Sequence, residues 1–109
     1  MYTPDKWIIL KIKYKTETLY KVLAGWSGSY LEGQSWKLNS GINKISMDGD
    51  YYLFEGYSGS TYKCHKNAYG TNMITSGVLA DLLSNPKTKD MVETLDDQDF
   101  TLLQVAEGQ

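Results

Sequence analysis

INKISMDGDYYLFEGYSGSTYKCH, Ile42–His65, is the stretch whose reading decides the fold. Two apolar-rich runs, Ile42–Met47 and Tyr51–Tyr57, flank Asp48-Gly49, and Gly tolerates the positive φ that a primed hairpin turn needs. A third run, Thr61–Lys66, follows Ser58-Gly59-Ser60, which reads as a second, three-residue hairpin loop. Loop residues 58–60 predict a register in which Tyr57 faces Thr61, Glu55 faces Lys63 and Leu53 faces His65. On the other face Gly56 meets Tyr62 and Phe54 meets Cys64. Glu55 opposite Lys63 is a favourable cross-strand pair, and Tyr62 over Gly56 is an aromatic covering a strand glycine.

Upstream the same design recurs. GWSGS at Gly25–Ser29 repeats as GYSGS at Gly56–Ser60. Aligning Tyr20 with Tyr51 brings Leu23 onto Phe54 and Trp26 onto Tyr57, so one hairpin design used twice in a sheet is the expectation. It pairs Trp26 with Tyr30 and Gly25 with Leu31. Further out, Trp7–Tyr14 alternates in its second half, with Ile8, Leu10, Ile12 and Tyr14 on one face and Ile9, Lys11 and Lys13 on the other. Period two with β-branched residues predicts a strand with one wet face. Lys11, Lys13 and Lys15 then read as the wet side of an edge strand, where Lys discourages aggregation. KTET, Lys15–Thr18, is a turn, Leu19–Trp26 a second strand, and Ser35–Asn39 a shorter one.

Downstream the period changes. In NMITSGVLADLLSNP, Ile74, Val78, Leu79, Leu82 and Leu83 fall at helical spacing. Asn72 or Thr75 is the candidate cap, Pro86 the stop, and Gly77 a weak point. Residues 86–109 carry another helical turn or two around Met91, Val92 and Leu95, an alternative edge strand over Phe100–Val105, and a frayed end. The fold class read from these signals is α+β. It is an antiparallel meander of five to six strands over residues 1–70, curled or partly closed as a barrel, with a C-terminal helix, in one domain spanning 1–109.

Composition agrees with a β-rich globule. Apolar content is 41% and charged content 22%, and nine Tyr with three Trp favour strands and half-buried positions. The 11 basic residues are all Lys. Arg is the usual bidentate reader of guanine and phosphate, so its absence disfavours sequence-specific nucleic-acid binding. Residues 1–85 hold nine Lys against seven acids, and 86–109 two Lys against six. Four consecutive apolar residues, Trp7–Leu10, are too few for a signal peptide core or a membrane span, which predicts a soluble intracellular chain.

The chemistry is sparse. The two Gly-x-Ser-Gly stretches lack the second glycine of a nucleophile elbow and the helix that should follow it. Cys64 and His65, neighbours on a strand, point to opposite faces and form no dyad, which predicts Cys64 buried and His65 exposed. One Cys and one His build no zinc site, and Asp96, Asp97 and Asp99 complete no calcium loop. The reading is therefore non-enzymatic, with no cofactor and no metal. The remaining candidates are Trp26, Tyr30, Trp36 and Tyr57, an aromatic platform beside the two turns.

MYTPDKWIILKI at Met1–Ile12, GWSGSYLEGQSWKLNSGI at Gly25–Ile42 and GYSGSTYKCHKNAYG at Gly56–Gly70 resemble small uncharacterised proteins of tailed bacteriophages, marine and cyanobacterial ones above all. The resemblance covers residues 1–70 and supplies no catalytic residues. It implies a phage accessory protein in the cytoplasm of an infected bacterium, binding a host or phage protein or associating with itself. The alternative is a module that stacks a sugar or nucleobase on those aromatics.

Overall fold

A computed structural model describes residues 1–27 and 35–95. Over these described residues the fold is α+β, mostly antiparallel, with seven strands in two open sheets and one helix. Strands β1 (Lys6–Tyr14), β2 (Glu17–Trp26), β3 (Ser35–Leu38) and β7 (Val92–Thr94) form a sheet in the order β3-β2-β1-β7. Strands β4 (Ile42–Asp48), β5 (Tyr51–Gly56) and β6 (Thr61–His65) form the other. Helix α1 (Met73–Ser84) joins β6 to β7, so it is not the last element.

The single meander and the barrel are thereby corrected to two sheets in layers, and the reason lies in Trp7–Leu10. All four of these side chains are buried. Trp7 and Ile9 join Val22 and Ala24 against Ile42, Phe54, Tyr62 and Cys64 of the three-stranded sheet. Ile8 and Leu10 join Leu23 and Val92 beneath Val78, Leu79 and Leu82 of α1. A continuous apolar run signals a strand covered on both faces. Each such side chain contributes roughly 1.5–3 kcal/mol when fully buried. β1 is also not an edge: it lies between β2 and β7, and Lys13 and Lys15 are exposed beyond the covered half.

Asn39–Gly41 carries the chain from one sheet to the other. Gly41 has φ +131°, and a Cβ there would lie 2.9 Å from the Tyr57 ring. The β4–β5 hairpin closes at Asp48 and Tyr51, with Gly49 at φ +60° and Asp50 outside the positive-φ region, as in a type II′ turn.

The β5–β6 hairpin keeps a three-residue loop but moves it to Tyr57–Gly59. Gly56 donates to the Ser60 carbonyl at 2.8 Å, and Gly59 takes φ +96°. The left-handed position must close the loop, so Gly59 ends it and Ser60 passes to the strand side. Hence Phe54 faces Tyr62, Leu53 faces Lys63, Tyr52 faces Cys64 and Glu55 faces Thr61. Glu55–Lys63 and Gly56–Tyr62 are not pairs; Lys63 instead meets Asp48 at 3.4 Å. Each strand slips by one residue, so parity survives. Phe54 and Cys64 are buried as expected, while His65 is half-buried instead of exposed.

The upstream copy is not a second such hairpin. β2 pairs with β3 so that Gly25 faces Trp36 and Trp26 faces Ser35, which leaves a longer connection across Ser27–Gln34. The expected partners Tyr30 and Leu31 lie outside the described residues, as do Asp96, Asp97, Asp99 and Phe100–Val105.

Candidate functional site

Of the four aromatics, the three that lie among the described residues, Trp26, Trp36 and Tyr57, do not share one face. Trp26 points to the inter-sheet side with Val22 and Ala24, is half-buried, and donates its indole N–H to the Thr3 carbonyl at 3.0 Å. Tyr2 meets it edge-on at 6.2 Å. Trp36, exposed, shares the opposite face with Gly25. Tyr57 is 61% exposed in the other sheet's loop, over Gly41. Tyr30 lies outside the described residues.

The residues that do converge sit where β3 and the β5–β6 loop approach each other. A cleft of about 410 Å³ opens there, lined by Tyr2, Lys21, Lys37, Leu38, Asn39, Ser40, Ser58, Ser60 and Tyr62. Asn39, at the end of β3, is 4% exposed. Its Oδ1 accepts the Val22 N–H at 2.8 Å, which extends the β2–β3 ladder by a side chain. Its Nδ2 is buried and has no partner among the described residues. A buried amide N–H without a partner costs about 1–3 kcal/mol, so a donor left unpaired in the wall of a polar cleft is a candidate ligand group.

Around it the donors accumulate. Ser40 Oγ accepts the Ser58 N–H at 2.9 Å and lies 3.3 Å from Ser58 Oγ, which ties the inter-sheet corner to the hairpin loop. Lys37 holds its Nζ 5.1 Å from the centre of the Tyr2 ring, a cation–π contact that props the ammonium at the cleft wall. Tyr62 is almost fully buried, its ring 5.1 Å from that of Tyr2, and burial with those neighbours raises its phenol pKa above 10.0. The phenol therefore stays a neutral donor. Among the described residues the cleft lining has two Lys and no carboxylate.

Gly56 keeps this corner tight: a Cβ there would come within 3.0 Å of Ser40 Oγ and 3.4 Å of Asn39 Nδ2. The two copies of the repeat thus diverge. Ser58 and Ser60 of the second line the cleft, whereas Ser27 of the first donates its N–H to Asp5 at 2.7 Å. Sequence reasoning singled out the Ser-Gly-Ser loop but missed Asn39, whose partner is 17 residues away. The available signal was Asn39-Ser40-Gly41, a run of small polar residues ending a strand. Among the described residues no three His, Cys, Asp or Glu side chains gather as a metal site, and no helix is long and apolar enough to cross a membrane. Comparison with protein-family models, curated proteins and solved structures found no match to this chain.

Proposed function

We propose that the protein is a non-enzymatic binding module whose cleft takes a small anionic ligand, of the phosphate or carboxylate class carried on a polyhydroxylated body. The observation that carries this reading is Asn39 Nδ2, buried without a partner in the wall of a cleft whose described lining holds hydroxyls and two Lys and no acid. An anion accepts from all of these groups at once, and charge-assisted bonds are the stronger ones. The ligand is held by donors instead of stacked on the Trp26, Tyr30, Trp36 and Tyr57 set. Titration with inorganic phosphate, a hexose phosphate and the neutral hexose, followed by amide shifts, tests it. The expected result is that the hexose phosphate moves Asn39, Ser40, Ser58 and Ser60 most and the neutral sugar least. Shifts scattered over the surface, or equal for all three, refute it.

The setting proposed with it, an accessory protein of tailed phages in the cytoplasm of an infected bacterium, is supported by the resemblance of residues 1–70 alone. In that setting a carboxylate or phosphoryl group presented by a host or phage protein has the same chemistry, and a phosphopeptide titration distinguishes it from the free sugar phosphate.

A further inference from the structure

A second feature, independent of the cleft, concerns the open edges of the sheets. The outer edge of β6 is occupied: Tyr2 donates to Thr61 and accepts from Lys63 along it. β3 has four residues and β7 three. Among the described residues β4 is the long free edge, seven residues with β5 on one side only. Because Asp48 and Tyr51 close a two-residue turn, the main-chain groups of Asp48, Ser46 and Lys44 face β5. Those of Ile45 and Met47 therefore face outward, and among the described residues no backbone bond reaches them. Such a row is a template for another strand.

The side chains on this edge are complementary to themselves. Place a second copy antiparallel with Ser46 on the two-fold axis. Ile45 then lies opposite the partner's Met47, and their outward N–H and C=O groups exchange bonds. Lys44 lies opposite the partner's Asp48, and Asp48 opposite the partner's Lys44. Moving the axis to Ile45 or to Met47 sets a charge against Ser46 and loses both pairs. Lys44 already faces Glu55 across β5, and Asp48 already meets Lys63 at 3.4 Å, so the row continues with alternating sign. On the other face Met47, 48% exposed, comes to rest beside the partner's Ile45, which packs on the core. An exposed apolar side chain is thereby covered.

We infer that the protein forms a two-fold dimer through β4, joining two three-stranded sheets into one of six strands. Light scattering during size exclusion should give twice the 12.3 kDa chain mass at low salt, falling back as salt screens the four charges. Lys44→Glu and Asp48→Lys, each turning two attractions into repulsions, should weaken the dimer roughly tenfold or more. The combined Lys44→Glu/Asp48→Lys variant should restore it. Met47→Pro, which deletes an outward N–H and spares the β4–β5 ladder, should give a folded monomer by circular dichroism. A wild-type protein that stays monomeric at NMR concentrations leaves the edge to a strand from another protein and overturns the inference. Single reversals that leave the mass unchanged overturn it as well.

Discussion

Asn72 occupies the space above Gly25 that a side chain would need: a Cβ on Gly25 would lie 2.6 Å from Asn72 Nδ2 and 2.9 Å from Thr75 Cγ2. Asn72 and Thr75 form the capping box of α1, in which the Thr75 N–H donates to Asn72 Oδ1 and the Asn72 N–H to Thr75 Oγ1, both at 2.9 Å. The start of the helix is therefore seated on bare β2 backbone. Gly25→Ala must push a fully packed cap away from the sheet. It is expected to cost about 1–3 kcal/mol, the usual penalty of overpacking. Urea unfolding should show the midpoint falling at constant slope. A midpoint that does not move would mean that the cap swings aside freely.

Gly77 supplies the opposite case within the same helix. It is exposed, and a Cβ there meets nothing within 4 Å. Gly77→Ala should stabilise the protein by roughly 0.5–1 kcal/mol, because Ala loses less backbone freedom in a helix. The same chemical change thus acts with opposite sign at positions 25 and 77, and thermal unfolding of the two variants reads both.

The local elements were legible in the sequence because local rules govern them. Asp48-Gly49 marked its hairpin, Asn72 its cap and Pro86 its stop, and α1 runs Met73–Ser84 where the apolar spacing pointed to Ile74–Leu83. Leu83 departs from that spacing's buried face and is exposed, while Thr75 is buried, since the cap presses this end of the helix onto Gly25. What local patterns do not carry is which strand lies beside which. Trp7–Leu10 held the signal for two covering layers, but its alternating continuation to Tyr14 looked like an edge strand with a wet face. The cleft was least legible, since Asn39 meets Val22 only through the β2–β3 pairing, Tyr2 meets Tyr62 only along the edge of β6, and Ser40 meets Ser58 only when both sheets are in place.

Cys64 tests the core between the sheets. It is fully buried, and burial pushes its thiol well above the ordinary value of 9.0. A thiol reagent should label the native protein far more slowly than the urea-unfolded protein, since the thiolate is the nucleophile. The same shift has a consequence for stability. Above about pH 9 the unfolded chain releases the Cys64 proton while the folded chain keeps it. The unfolded state then binds fewer protons, and stability must fall with rising pH. Tyr62, also raised above its ordinary 10.0, adds to the fall from about one unit higher. The slope should approach ~1.4 kcal/mol per pH unit for Cys64 once its unfolded form is ionised. Cys64→Val should flatten the part that begins near pH 9, and an unchanged profile in that variant would assign it elsewhere.

Asn39 has two roles that substitution can separate. Its Oδ1 satisfies the N–H of Val22, which is fully buried, and its Nδ2 faces no protein acceptor among the described residues. Asn39→Ala removes both and strands the Val22 N–H, a loss expected at about 1–3 kcal/mol. Asn39→Asp retains an acceptor for Val22 but removes the open donor and places a negative charge at the cleft floor. It should abolish the amide shifts caused by hexose phosphate while the protein remains folded. Lys37→Gln removes a charge from the exposed wall and should weaken phosphate binding, with stability changed by no more than about 0.5 kcal/mol. Two outcomes count against the cleft. If Asn39→Asp binds hexose phosphate as the wild type does, the open amide is not a ligand group. If Lys37→Gln destabilises the fold by more than 1 kcal/mol while binding is unchanged, the contact with Tyr2 is structural and the charge around the cleft does not select anions.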